Sequence, residues 1–145
     1  MSTAMPEQLP RPDGGILIVE DHRRTMDLLL YLLGNAFPGQ AMRTANSAEE
    51  ALASCRIALP RLVVMDIRLP GISGIDAARQ IKALSPAVRV VMHSNHDHAI
   101  FREQCAAAGA DAFVSKTQSH AELVPAVTLL LSQTVIPASA AGKSR

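Results

Sequence analysis

Aromatic residues, cysteines and long apolar runs are scarce in this chain of 145 residues. It has no Trp, one Tyr and three Phe, and its formal net charge is +1, so its composition shows no basic field for nucleic acid. The two cysteines, Cys55 and Cys105, fall within helical patterns and indicate small core residues in a reducing compartment rather than a disulfide. No apolar run approaches membrane-spanning length, and the Pro-containing N-terminus lacks the apolar segment of a signal peptide. We therefore expect a cytoplasmic protein that contacts neither membrane nor nucleic acid.

The apolar residues that are present follow two alternating patterns. Hydrophobic residues make up 48% of the chain, which is enough for a core. Short apolar runs typical of buried strands alternate with longer stripes at helical spacing. Strands are predicted over Ile16–Val19, Met42–Ala45, Leu62–Met65, 88–92 and 112–114, and the last three helices over 74–85, 96–109 and 122–132. Ser47 and Glu50 predict a capping box before the second helix, and Gly109 predicts a glycine cap after the fourth.

Five strand–helix alternations indicate an α/β domain. Such a pattern predicts a parallel sheet covered on both faces by helices and joined by right-handed crossovers. We expect one domain over residues 15–132, between a flexible N-terminal arm at 1–14 and a flexible C-terminal tail at 133–145.

Polar residues stand where four of these strands end. Asp66 closes an apolar run and is followed by a Pro-Gly turn, Glu20 and Asp21 follow the first strand, Ser94 follows the fourth, and Lys116 follows the fifth. The carboxyl ends of parallel strands meet at one edge of an open sheet, where such folds place their chemistry. We therefore expect these side chains to converge.

Three carboxylates that converge repel one another, and a hard divalent cation relieves that repulsion. Mg²⁺ accepts one or two carboxylates and keeps several waters, and Mn²⁺ could substitute for it. A cation beside Asp66 leaves room for a phosphoryl group that also contacts Lys116 and Ser94. A carboxylate oxygen can act as the nucleophile and form an acyl phosphate.

Four motifs in this order resemble the receiver domain of two-component response regulators, in the CheY-like superfamily. The matching segments are Ile-Val-Glu-Asp at 18–21, Met-Asp-Ile-Arg-Leu-Pro-Gly-Ile-Ser-Gly at 65–74, Ser94, and Gly-Ala-Asp-Ala-Phe-Val-Ser-Lys at 109–116. The resemblance covers about residues 15–131. It implies a (βα)5 flavodoxin-like, doubly wound parallel sheet with strand order 2-1-3-4-5.

The resemblance also implies a role for each matching acid. Asp66 would accept a phosphoryl group from a phosphohistidine donor. Asp21 would hold Mg²⁺ directly, Glu20 directly or through water, and Asp66 and the backbone carbonyl of Arg68 would complete the protein ligands. Lys116 would pair with the phosphoryl oxygens.

The switch positions implied by the resemblance are Ser94 and Phe113. Ser94 would swing in to bond a phosphoryl oxygen, and the Phe113 ring would rotate inward after it. Phe113 stands where tyrosine is commoner, so the ring carries no hydroxyl. Thr117 follows Lys116 where proline is common, and a cis peptide there would cost roughly 3 kcal/mol without proline.

Three further positions are expected to tune the phosphorylation lifetime. Arg68 and His96 occupy positions that often affect dephosphorylation in the family. Asn95 follows Ser94 where a smaller residue is usual, and it is expected to narrow access to Asp66.

The resemblance implies a phosphorylation-controlled signalling module rather than a turnover enzyme. Its donor would be a sensor histidine kinase or a histidine phosphotransfer protein, and its output a protein target or a homodimer through the helix 4–strand 5–helix 5 face. Residues 132–145 are too few for an output domain, so we expect a stand-alone receiver. The alternative is the receiver part of a DNA-binding transcriptional regulator whose output domain lies outside this chain.

Other interpretations compete with this one. Phosphatases of the haloacid-dehalogenase type also use a strand-tip aspartate and Mg²⁺, but they need an acid two residues later, where this chain has Arg68. A degenerate receiver that takes no phosphate is a third alternative. His93, His96 and His98 with Asp97 could form a transition-metal cluster, although their spacing fits no standard motif.

The start of the first helix allows two interpretations. His22, Arg23 and Arg24 are either a solvated face or a docking surface for the phosphodonor.

Overall fold

A five-stranded parallel sheet forms the centre of the protein in a computed structural model that describes residues 11–12 and 14–133. The strands run in the order β2-β1-β3-β4-β5, which confirms the predicted flavodoxin-like topology. They are β1 (Ile16–Val19), β2 (Met42–Ala45), β3 (Leu62–Met65), β4 (Arg89–Ser94) and β5 (Ala112–Ser115). The helices are α1 (Arg23–Ala36), α2 (Ala48–Ile57), α3 (Gly74–Leu84), α4 (Ala99–Ala107) and α5 (Val124–Ser132).

Both faces of the central strands are apolar, which is why helices cover both. In β1, Leu17 and Val19 face the core layer under α2, α3 and α4, whereas Ile16 and Ile18 face the layer under α1 and α5. All four residues are at most 1% exposed. A parallel strand buried on both sides requires this continuous apolar run.

Side-chain and glycine caps set several helix ends. The Ser47 hydroxyl accepts from the Glu50 N–H at 3.1 Å, as the predicted capping box requires. The Glu50 carboxylate instead reaches back one residue further, to the N–H of Asn46 at 2.7 Å. Gly109 has φ 101° and closes α4, which confirms the predicted glycine cap.

Two predicted helix starts are wrong. The fourth helix was expected from residue 96, but it begins at Ala99 with His98 as the N-cap. The last was expected from residue 122, but a 3-10 turn (Lys116–Gln118) and a π-helical turn (Ser119–Leu123) precede α5. Pro125 explains the second difference, because it has no N–H to donate one turn back and fits only in the first turn of an α-helix.

Most of the predicted terminal arm and tail lies outside the described residues. Within the described part, Arg11–Pro12 pairs in parallel with Ala58–Leu59, next to the loop that leads into β3. Both cysteines lie buried, one in α2 and one in α4, as predicted for core residues. None of the described helices is long and apolar enough to cross a membrane.

Candidate phosphoacceptor site

An acid pocket formed by Glu20, Asp21 and Asp66 lies at the carboxyl edge of the two central strands. Val19 and Met65 are paired in register, so the residues that follow them meet side by side. Asp66 is only 4% exposed and Glu20 only 1%, whereas Asp21 is exposed. Two nearly buried carboxylates with oxygens within 4.8 Å of each other need a positive charge beside them, because their negative charges repel.

Lys116 supplies that charge from the loop after β5. Its ammonium donates to Asp66 Oδ2 at 2.8 Å and lies 3.1 Å from Glu20 Oε1. Burial lowers the pKa of Lys116, but the hydrogen bond and charge of Asp66 and the charge of Glu20 outweigh it and hold the pKa above its ordinary value. The ammonium is therefore protonated at neutral pH and ready to receive anionic oxygens.

The acid pocket fits a divalent cation. Glu20, Asp21, His22 and Asp66 each offer a ligand atom, and these atoms lie within 4.8 Å of one another. Glu20 Oε1 is buried, and the Lys116 ammonium at 3.1 Å is its one polar contact among the described residues, so it keeps a lone pair for a cation. Oxygen donors of this kind suit Mg²⁺ or Mn²⁺.

Ser94 and Phe113 each contact a residue outside the acid pocket. The Ser94 hydroxyl accepts from the His96 N–H at 3.1 Å, within its own loop. The Phe113 ring is half-buried, and the Arg102 guanidinium lies 4.4 Å from its centroid. The Ser94 hydroxyl is an acceptor in this bond, so its own hydrogen stays available to a further acceptor.

The predicted rate-tuning residues lie in the loops that follow β3 and β4. Arg68 Nη1 and His96 Nε2 are 3.5 Å apart, which joins the loop after β3 to the loop after β4. The Arg68 N–H faces Asp66 Oδ1 at 3.4 Å. Asn95 is exposed. All peptide bonds of the described chain, including the one before Thr117, are trans.

Among the described residues, His93 at the end of β4 does not group with His96 and His98 as metal ligands. His93 is buried and bonds Ser119, whereas His96 and His98 pack against Phe101 with ring centroids 5.5 and 6.5 Å away. The metal-binding alternative for these residues is therefore wrong, since the described residues group only the acid pocket and His22 as ligands.

Sequence reasoning missed two histidines. His22 is 70% exposed, as expected for a solvated face, but its Nδ1 also lies 3.2 Å from Glu20 Oε2 and 3.4 Å from Asp21 Oδ1, contacts that the sequence did not predict. Its position directly after the acid pair was the available signal. His93 was considered only as a metal ligand, and its apolar strand gave no sign of the buried hydrogen bond that it makes.

The fold and the acid pocket together define a flavodoxin-like α/β protein with a carboxylate–lysine centre at the carboxyl edge of its sheet. A family model described as "Response regulator receiver domain" matches residues 16–128. The chain belongs to this family, whose members are the receiver domains of two-component systems.

Curated relatives are bacterial regulators that are longer than this chain. The chain is 39% identical over 118 residues to "Transcriptional activator protein ExaE" of Pseudomonas putida, a match that covers 81% of the chain and 55% of that protein. It is 30% identical over 117 residues to "Response regulator GacA" of Pseudomonas viridiflava, again over 81% and 55%. The chain thus spans about half the length of these relatives.

Solved structures show the same fold. A LuxR-family two-component response regulator from Aurantimonas sp. SI85-9A1 superposes with a TM-score of 0.76 at 34% identity, covering 81% of this chain and 84% of that one. A CheY-like receiver domain protein from Methanospirillum hungatei JF-1 gives a TM-score of 0.76 at 26% identity, covering 88% and 97%.

Proposed function

We propose that Asp66 accepts a phosphoryl group from a phosphohistidine of a sensor kinase or phosphotransfer protein in the cytoplasm. The observation that carries this proposal is the contact of its nearly buried carboxylate with Lys116 at 2.8 Å, beside a second buried acid. An aspartate that only ends a strand has no need of a buried ammonium and a second buried carboxylate beside it. Catalysis of phosphoryl transfer consists mainly of this positioning and charge compensation.

The reaction joins an Asp66 carboxylate oxygen to phosphorus and breaks the bond between phosphorus and the donor imidazole nitrogen, which keeps the electron pair. The Lys116 ammonium moves no proton and compensates the charge that arrives with the phosphoryl group. Glu20, Asp21 and Asp66, with the Arg68 carbonyl, would hold Mg²⁺, which neutralises phosphoryl oxygens when bound. Mn²⁺ would serve the same donors.

Phosphorylation would switch the protein by changing what Ser94 and Phe113 contact. The Ser94 hydroxyl, which accepts from the His96 N–H, would swing in and donate its hydrogen to a phosphoryl oxygen. The Phe113 ring would leave the Arg102 guanidinium and turn inward. To move a population from mostly off to mostly on, the phosphoryl group needs contacts that favour the on state by about 5 kcal/mol.

The output of this switch would be the α4–β5–α5 face, which would bind a protein target or a second copy of the chain. The names of the curated relatives favour one setting, the receiver part of a DNA-binding transcriptional regulator. The other setting is a receiver that acts alone. Reading the coding sequence downstream of codon 145 distinguishes them.

Turnover of external phosphoesters is not part of the proposal. An aspartate-based phosphatase needs an acid two residues after its nucleophile to protonate the leaving group, and here that residue is Arg68. The phosphoryl group would leave only by slow hydrolysis, at a rate that Arg68, Asn95 and His96 would adjust.

The test is the intact mass of the protein after incubation with acetyl phosphate and Mg²⁺. Wild type should gain one phosphoryl group, and Asp66→Asn should gain none. Asp76→Asn is the matched control, because the Asp76 side chain is 57% exposed and, among the described residues, pairs only with Arg79 of its own helix. Equal gain in Asp66→Asn and wild type, or no gain in wild type from either acetyl phosphate or a phosphorylated kinase, would refute the proposal.

A further inference from the structure

A fully buried histidine, His93, occupies the end of β4 where apolar residues surround it. It is 1% exposed. Its strand neighbour Val91 and its register partner Val114 both belong to the apolar cluster under α1 and α5. An imidazole in such a place is costly to desolvate unless its polar atoms are bonded, so its hydrogen bond indicates what it does.

The hydrogen-bond geometry determines which nitrogen of His93 carries the proton. Nε2 lies 2.7 Å from the hydroxyl of Ser119, and that hydroxyl donates to the backbone carbonyl of Lys116 at 2.9 Å. A serine hydroxyl has one hydrogen, so it can only accept from His93. With this donor pattern Nε2 carries a proton, and burial, which lowers the pKa of His93 to about 4, keeps the ring neutral near pH 7. Nδ1 then carries no proton and has no partner among the described residues.

This chain of two hydrogen bonds ends on the backbone of Lys116. The same lysine directs its ammonium at Asp66 and Glu20, so His93 and Ser119 hold one end of the residue while the acid pocket holds the other. His93 also directly precedes Ser94. The hydrogen bonds through Ser119 therefore join the end of β4, next to Ser94, to the loop after β5 that carries Lys116.

The backbone around Ser119 is unusual as well. Ser119 begins the π-helical turn Ser119–Leu123, which follows the 3-10 turn that starts at Lys116. Ser119 itself is 3% exposed. π-helical turns often mark functional positions, and here the turn brings a serine hydroxyl between a histidine and the lysine of the site.

We propose that His93 and Ser119 are positioning residues for phosphorylation: their hydrogen bonds fix the Lys116 backbone so that its ammonium meets the incoming phosphoryl group. The inference rests on the proposed function of Asp66. It adds two residues that touch neither the phosphoryl group nor the metal ligands, and it predicts that loss of either hydrogen bond slows phosphorylation without changing the acid pocket.

Phosphorylation rates with acetyl phosphate and Mg²⁺ test the inference. Ser119→Ala and His93→Leu should each slow the reaction about tenfold, equivalent to about 1.4 kcal/mol in the barrier. The double variant should be no slower than either single one, because both remove the same connection. His93→Gln should stay within about twofold of wild type, since its amide N–H can replace the Nε2 donor.

Ser132→Ala is the matched control. Ser132 also donates from its hydroxyl to the carbonyl three residues earlier, Leu129 at 2.7 Å, but at an exposed position far along α5. It should phosphorylate at the wild-type rate. A wild-type rate in His93→Leu or Ser119→Ala, or a rate in His93→Gln as low as in His93→Leu, would overturn the inference while the proposed function stands.

A second measurement does not depend on phosphorylation. Nitrogen-15 NMR of the imidazole should show His93 neutral and protonated at Nε2 at about pH 7, and Ser119→Ala should shift the carbonyl carbon of Lys116. An Nδ1-protonated ring, or an unchanged carbonyl shift, would overturn the inference. If wild type accepts no phosphoryl group at all, the proposed function fails and these spectra alone decide whether the connection exists.

Discussion

The wild-type protein should lose folding stability as the pH falls because of His93, and the variant His93→Gln should lack this part of the loss. Burial first, and then the charge of Lys116, lower the pKa of His93 from 6.5 to about 4, against a smaller opposite effect of Asp66. Between these two values the unfolded chain binds a proton at His93 and the folded protein does not, so stability falls as the pH falls. One pKa unit corresponds to about 1.4 kcal/mol, so the full loss is about 3 kcal/mol.

The assay is urea unfolding followed by far-ultraviolet circular dichroism, because the chain has no Trp to report by fluorescence. The free energy of unfolding is measured without Mg²⁺ from about pH 7 to about pH 4 for wild type and His93→Gln. The difference between the two proteins should change by about 3 kcal/mol over this window in favour of the variant, since titrating groups common to both cancel. His120→Gln, at an exposed position, controls for the substitution itself. Parallel curves for wild type and His93→Gln would refute the reasoning.

Three further predictions follow from contacts around the acid pocket. Lys116→Met should lower the free energy of unfolding by about 3 kcal/mol in Mg²⁺-free buffer, because two nearly buried carboxylates lose the ammonium that pairs with them. Added Mg²⁺ should restore part of this loss, and an equal loss with and without Mg²⁺ would contradict the prediction. Gly74→Ala should abolish Mg²⁺-dependent phosphorylation or folding, since its Cβ would lie 1.8 Å from the backbone carbonyl oxygen of Asp66. Gly34→Ala is the control: no atom lies within 4 Å of its Cβ, so it should stabilise the protein by up to about 1 kcal/mol. Ser115→Ala should cost about 1 kcal/mol and speed amide exchange in the loop after β4, because its hydroxyl bonds Asp97 there at 2.9 Å; unchanged exchange would exclude this connection.

The elements that the sequence predicted well are those whose signal is local. β1 and β3 have the predicted bounds because a strand buried on both faces is a continuous apolar run that ends at a polar residue. The edge strand β2 also has the predicted bounds, although its sequence is partly polar. The cap at Gly109 follows from the one residue type that adopts a positive φ without strain.

The start of α4 shows where local signals are insufficient. Residues 96–98 were expected to open the helix, but the Asp97 carboxylate instead accepts from Ser115, at the end of β5. That bond joins residues 18 positions apart, so no helical period contains it. The spacing of apolar residues cannot distinguish a first helical turn from a loop that is stabilised by a hydroxyl far away in the sequence.

The sequence by itself determined the parallel α/β fold and the meeting of Asp66, Glu20 and Lys116, because the ends of parallel strands share one edge whatever the side chains do. Only the tertiary structure decided what the remaining polar groups contact. It placed His22 against the acid pair, kept Ser94 on the His96 N–H, and connected His93 through Ser119 to the backbone of Lys116. Such contacts depend on distances and angles between elements far apart in the chain, and a linear pattern does not record them.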